Sequence, residues 1–204
     1  MIKFDSVSIQ YVKEYFALYN FSTEITSHTL FIGDDFVGSS AIMRLLSKID
    51  KDYSGNIFID NTDIKQIKDK DLNIAYVPQI PYLFKLKSVE TNLAYPLKIR
   101  KFDKNKTKTI VNDAISNYNL KNFNKKTGKL NLSEQKIIAL IRASLWKPKY
   151  ILLENFFEDL DNNCLGLAIQ ILNNIKQHST IIATEKANKN LDIFKDFKIV
   201  ELYK

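Results

Sequence analysis

The chain is 204 residues long, 45% hydrophobic, and carries a formal net charge of +7. That length suits one domain, or one domain with a subdomain, and the apolar fraction excludes a disordered chain. No apolar run reaches the roughly 18 residues of a membrane span. The lysines are scattered, with one thin cluster at Lys121, Lys125, Lys126 and Lys129, and they lack interleaved aromatics, so no nucleic-acid partner is expected. Cys164 is the single cysteine; it cannot form an internal disulfide and fits a reducing compartment. Ile2-Lys3-Phe4 opens a strand pattern at once, so no secretory signal is expected.

In chain order, residues 2–7 alternate as a half-buried strand does, and so do residues 17–25. Leu30-Phe31-Ile32 is a short apolar run of buried-strand type. Gly33 and Gly38 bracket a tight loop, and Ile42, Leu45, Leu46 and Ile49 then recur at helical spacing. Asp52 to Gly55 reads as a turn, residues 56–60 as a strand, and residues 61–71 as polar connection. Ile74 to Val77 is an apolar strand ending at Pro78-Gln79. Pro81 and Pro96 set off a different texture, with a short helix expected over 88–94 and a second one around Ile110 to Tyr118. Asn131 and Glu134 fit a capping box that opens a helix closed by Pro148. Tyr150 to Leu153 is a strand, Leu165 to Ile175 a helix, and Thr180 to Ala183 a strand. Residues 192–195 read as a helical turn and 197–202 as a last strand. Such alternation predicts an α/β fold with a mainly parallel sheet, an antiparallel β part and a helical insert. Ligands in such sheets bind beyond the carboxyl ends of the strands, where Gly33 and Glu154 both fall.

The segment from Gly33 to Ser40 reads Gly-Asp-Asp-Phe-Val-Gly-Ser-Ser, between a strand and a helix. This is the layout of a phosphate-cradling P-loop, G-x-x-x-x-G-K-S/T, with Ser39 in the lysine's place. Asp34 and Asp35 stand where anionic phosphates would lie. Glu154, at the end of an apolar strand, should seek a metal, a donor or a raised pKa. His28 and His178 have no metal-ligand neighbours in sequence and are expected at the surface.

Taken together, these segments resemble the nucleotide-binding domain of ABC transporters, over nearly the whole chain. Tyr11 falls at the family's adenine-stacking aromatic, although packing is an equal reading. Residues Gly33, Asp34, Asp35, Phe36, Val37, Gly38, Ser39 and Ser40 look like Walker A. Gln79 looks like the Q-loop glutamine, and residues 88–100 like the helical subdomain that faces the membrane subunit. Leu130-Asn131-Leu132-Ser133-Glu134-Gln135 falls where the signature L-S-G-G-Q/E-Q belongs, although a helix cap explains Asn131 to Glu134 as well. Residues 150–155 fall at Walker B, and Glu158-Asp159-Leu160-Asp161 looks like the D-loop.

The resemblance implies one ABC-type P-loop NTPase domain over residues 1–204, with a helical subdomain over about 85–130. It implies ATP as ligand, Mg²⁺ held by Ser40, Gln79 and Glu154, and Asn131, Leu132, Ser133, Glu134 and Asp161 at a subunit contact. The implied partners are a membrane permease and a second nucleotide-binding subunit, identical or not, at the cytoplasmic face of the membrane. The departures concern catalysis. Loss of the Walker A lysine removes a charge-assisted contact of about 1.5–3 kcal/mol, on the order of 10- to 100-fold in affinity. Asn155 replaces the catalytic glutamate; an amide accepts no proton, so general-base help of about 10²–10⁴-fold should be absent. Glu185 replaces the switch histidine, and Leu132 and Ser133 replace both signature glycines. The expectation is a degenerate subunit that hydrolyses ATP weakly or not at all. The alternatives are a divergent but active ATPase and a scaffold that has lost nucleotide binding.

Overall fold

The computed structural model describes residues 1–13, 15–33, 36–120, 125–186 and 191–202; of 36, 37 and 191 it describes the backbone. Two sheets form the frame. β1 (Ile2–Val12), β2 (Tyr15–Ile25), β4 (Ser54–Ile59) and β5 (Thr62–Asp63) pair antiparallel in the order β2-β1-β4-β5. β3 (Thr29–Ile32), β6 (Ile74–Val77), β7 (Tyr150–Glu154), β8 (Thr180–Glu185) and β9 (Lys198–Glu201) form a wholly parallel sheet in the order β6-β7-β8-β3-β9. The α/β expectation, with a parallel sheet, an antiparallel part and a helical insert, holds.

The central strands are apolar at nearly every position because both sheet faces are covered. Their side chains alternate between two cores, as a period of two requires. Leu30, Ile151, Leu153, Ile181 and Ala183 enter a core with helices α2 (Val89–Ile99), α4 (Leu132–Ser144) and α5 (Asn162–Ile175). Phe31, Leu152 and Ile182 point the other way, into a core shared with α1 (Phe36–Leu46) and the antiparallel sheet. Burial of α1 between two sheets explains why Ala41, Ile42, Met43, Leu45 and Leu46 are all inside.

Several element boundaries depart from the sequence reading; β1 runs to Val12 rather than residue 7, and β5 falls within the expected polar connection. Ile49 lies outside α1 and is 50% exposed. Lys48 adopts a left-handed φ of 58°, and Ile49 N donates to Arg44 O at 2.9 Å, a Schellman closure that turns the chain outward. The helix expected over 88–94 runs on through Pro96 to Ile99. Leu93 and Leu97 bury one face of it, and Arg100 N still closes onto Pro96 O at 3.1 Å. The helix expected to run to Pro148 ends at Ser144. The second helix of the insert is α3 (Lys104–Asn117), capped by Asp103. The capping box at Asn131 and Glu134 is present with both reciprocal bonds at 2.8 Å.

Candidate functional site

The parallel register sets the strand ends level. Ile32 pairs with Glu185, Glu154 with Thr184, and Val77 with Leu153. Gly33, Asn155, Lys186 and Gln79 therefore leave the sheet along one edge, on neighbouring strands. Asp34 and Asp35 lie outside the described residues; Phe36 and Val37 open α1, and their side chains are likewise outside the description.

From α1, Ser40 Oγ donates to Glu154 Oε1 at 2.6 Å. The other carboxylate oxygen accepts from the Tyr76 hydroxyl. Glu154 thus finds donors for both oxygens, one of the outcomes a carboxylate at the end of an apolar strand requires. Burial raises the Tyr76 pKa, and the hydrogen bond to Glu154 adds to the shift, so this phenol stays protonated and donating. Ser39 is buried. At Gly38 a Cβ would lie 3.1 Å from Ala17 O, so this glycine is where α1 passes close to the backbone of β2.

A second group forms one step further along. Gln79 Nε2 donates to Glu158 Oε2 at 3.0 Å, and Lys186 Nζ lies 2.5 Å from Glu158 Oε1. Glu185 is 3% exposed, and its Oε1 accepts from Phe157 N at 3.0 Å. Asn155 has a left-handed φ of 42°, a conformation asparagine tolerates better than most residues. Its amide nitrogen on the backbone donates to Thr184 O at 3.0 Å, and its side-chain Oδ1 is buried without a hydrogen-bond partner.

The loop from Asn155 to Asp159 is tied to α4. Lys136 is fully buried, and its ammonium donates to the carbonyls of Asn155, Phe156 and Glu158. Burial lowers its pKa, against the pull of nearby carboxylates. Ser133 Oγ donates to Asp159 O at 3.2 Å and accepts from Asp161 N at 3.0 Å, and Asp161 caps α5 through Cys164 N at 2.8 Å. The segment Asn131 to Glu134 is thus bonded to the loop beyond β7 within one chain. Leu132 is 41% exposed at the head of α4.

Tyr11 stands apart from these groups. It is 45% exposed, and its hydroxyl bonds Asp50 Oδ2 at 2.5 Å, while Arg44 grips the same carboxylate at 2.7 and 2.9 Å. His28 and His178 are half-buried rather than at the surface; His28 Nδ1 accepts from Ile181 N at 3.0 Å, because it sits where the backbone of β8 needs an acceptor. Burial lowers the pKa of both imidazoles. Tyr76, Lys136 and Lys186 were not singled out from sequence. Lys136 had one visible signal, a charge directly before the apolar pair Ile137-Ile138.

The sequence model of the family described as ABC transporter matches residues 18–157. The chain belongs to the ABC transporter family. Its fold is that of an ABC nucleotide-binding domain. The chain is 28% identical to the molybdate/tungstate import ATP-binding protein WtpC of Thermococcus kodakarensis over 158 residues, 77% of this chain and 47% of that protein. It is 31% identical to the protein of the same name from Methanocaldococcus jannaschii over 163 residues, 79% of this chain and 55% of that protein. Among solved structures it is similar to an ATP-binding cassette in a dimeric post-hydrolysis state bound to ADP and Pi. That match has a TM-score of 0.84 and 21% identity, covering 99% of this chain and 94% of that one. The chain spans about half the length of the curated relatives it matches. Among the described residues no helix is long and apolar enough to cross a membrane.

Proposed function

We propose that this chain is the nucleotide-binding subunit of an ABC transport complex, one that binds ATP as a clamp between subunits and hydrolyses it slowly or not at all. The observation that carries this reading is the Ser40–Glu154 contact at 2.6 Å beside Asn155. A hydroxyl and a carboxylate meet there, next to a position that cannot accept a proton. The donor set fits Mg²⁺, which takes hard oxygen ligands. Ser40 and Glu154 would hold the ion, and Gln79 would join them on leaving Glu158. When bound, the ion supplies charge neutralisation to phosphate oxygens. Gly33, Gly38 and the head of α1 would face the phosphates, with Tyr11 at the base. Asp34, Asp35, Phe36 and Val37 complete the loop in sequence.

The chain's own residues support slow turnover. Asn155 hydrogen-bonds but takes no proton, so the attacking water lacks a base. Glu185 is engaged with Phe157 N and presents no imidazole. The exposed apolar side chains of Ile80, Tyr82, Leu86 and Ile99 support docking of a membrane permease near residues 80–100. Asn131, Leu132, Ser133, Glu134 and Asp161 would meet a second nucleotide-binding subunit. The curated relatives are named for import systems, which supports an import complex with this subunit peripheral at the cytoplasmic face. The scaffold reading is favoured by one feature, the way Glu154 and Glu158 find their partners within the chain.

Phosphate release at saturating MgATP tests this reading. ABC-type turnover near the enzyme median of about 10 s⁻¹, cut by about 10²–10⁴-fold for the missing base, leaves a rate of order 0.1 s⁻¹ or below. Steady release at the median rate would contradict it.

A further inference from the structure

Ser39 stands where a P-loop carries its lysine, so the loop itself brings no cation to the terminal phosphate. Three of the cations described above have distinct fates. Arg44 is clamped on Asp50 by two hydrogen bonds. Lys136 is sealed in the core, spent on three backbone carbonyls. Lys186 is 37% exposed, and a side chain, Glu158, is among its partners.

Position favours Lys186. β8 lies between β7, which ends at Glu154, and β3, which runs into Gly33. Because Ile32 and Glu185 are register partners, Lys186 leaves its strand beside Gly33. The lysine therefore starts between the carboxylate that bonds Ser40 and the first glycine of the loop. Its four-carbon stem is flexible enough to swing an ammonium toward either side.

The arrangement around Glu158 is itself that of an anion receiver. One carboxylate oxygen takes the Lys186 ammonium and the other takes the Gln79 amide. Two donors from different strand ends converge on one anion, which here belongs to the chain. A terminal phosphate presents the same charge type to the same donors.

We propose that Lys186 supplies the cation for the terminal phosphate of a nucleotide held at the Gly33–Ser40 loop, exchanging Glu158 for that phosphate. This rests on the nucleotide-binding reading. Glu158 is then the internal competitor: it holds the ammonium at the site without a ligand and releases it when a nucleotide binds. The contact belongs to the last phosphate, so it separates ATP from ADP.

The test is equilibrium titration of the whole chain with MgATP and with MgADP, in the wild type, Lys186→Met, Lys186→Arg and Glu158→Gln. A charge-assisted contact of this kind corresponds to about 10- to 100-fold in affinity. Lys186→Met is expected to weaken MgATP by that factor and to leave MgADP within about twofold. Lys186→Arg should keep most of the ATP preference. Glu158→Gln, which removes the competing charge, should tighten MgATP more than MgADP. If Lys186→Met does not fold, as judged by its thermal transition, Glu158→Gln decides: selective tightening of MgATP supports the exchange, and unchanged binding overturns it. A wild type that binds both nucleotides, with Lys186→Met shifting neither or both equally, overturns the proposal alone. A wild type that binds neither nucleotide overturns the nucleotide-binding reading as well.

Discussion

Outside the sheet edge, Tyr11, Asp50 and Arg44 form a hydrogen-bonded cluster in which Asp50 is the group that titrates. The Arg44 hydrogen bonds hold the Asp50 carboxyl below the usual carboxylate range, against the effect of burial. A carboxylate with a lowered folded pKa stabilises above its unfolded value of about 3.9, and that contribution is lost as pH falls through the lower folded value. Asp50→Asn should therefore lower stability at pH 7, read from the thermal midpoint, by no more than about 1 kcal/mol because Arg44 is 44% exposed. The gap to the wild type should close toward pH 3; a gap unchanged between pH 7 and pH 3 would remove the charge argument. At this scale the sequence showed residue types and their order but not their partners. Glu154 was legible as a carboxylate in need of a donor. That Tyr76 supplies one of its donors was not, because a strand residue's contact depends on which strand pairs beside it. Lys186 carried no signal, since its role depends on strand-end register.

At the scale of elements, α1 and α4 carry the candidate site, and each has a local device that can be tested. The capping box of α4 closes orphan donors at its first turn. Asn131→Ala should cost about 1 kcal/mol in urea unfolding; a cost near zero would mean that Glu134 and water replace the cap. Gly38 lies against Ala17 O. Gly38→Asp forces a charged side chain into that contact and should destabilise by about 1–3 kcal/mol, read as a lower melting temperature without nucleotide. An unchanged melting temperature would show that β2 yields freely. The variant consequently alters packing as well as any phosphate contact. Strands and helices with clean periodicity were readable from sequence. Ile49 was misplaced because periodicity does not register the left-handed turn at Lys48, and α2 was cut short because Pro96 is tolerated where Leu93 and Leu97 bury one face.

Across the whole molecule, two sheets share α1, and the strand ends of the parallel sheet bring Gly33, Gln79, Asn155 and Lys186 together along one edge. Ser40 and Glu154 offer oxygens suited to a metal there, and in the proposed reading Asn155 and Ser39 bring neither a base nor a cation. The measurement that tests this most directly is a calorimetric titration of the purified chain with MgATP, which reads the heat of binding and the steady heat of turnover in one experiment. Saturable binding, with hydrolytic heat absent or no greater than a turnover of about 0.1 s⁻¹ produces, is the predicted result. Absence of binding at millimolar MgATP, or sustained hydrolytic heat at a turnover near about 10 s⁻¹, would contradict the account.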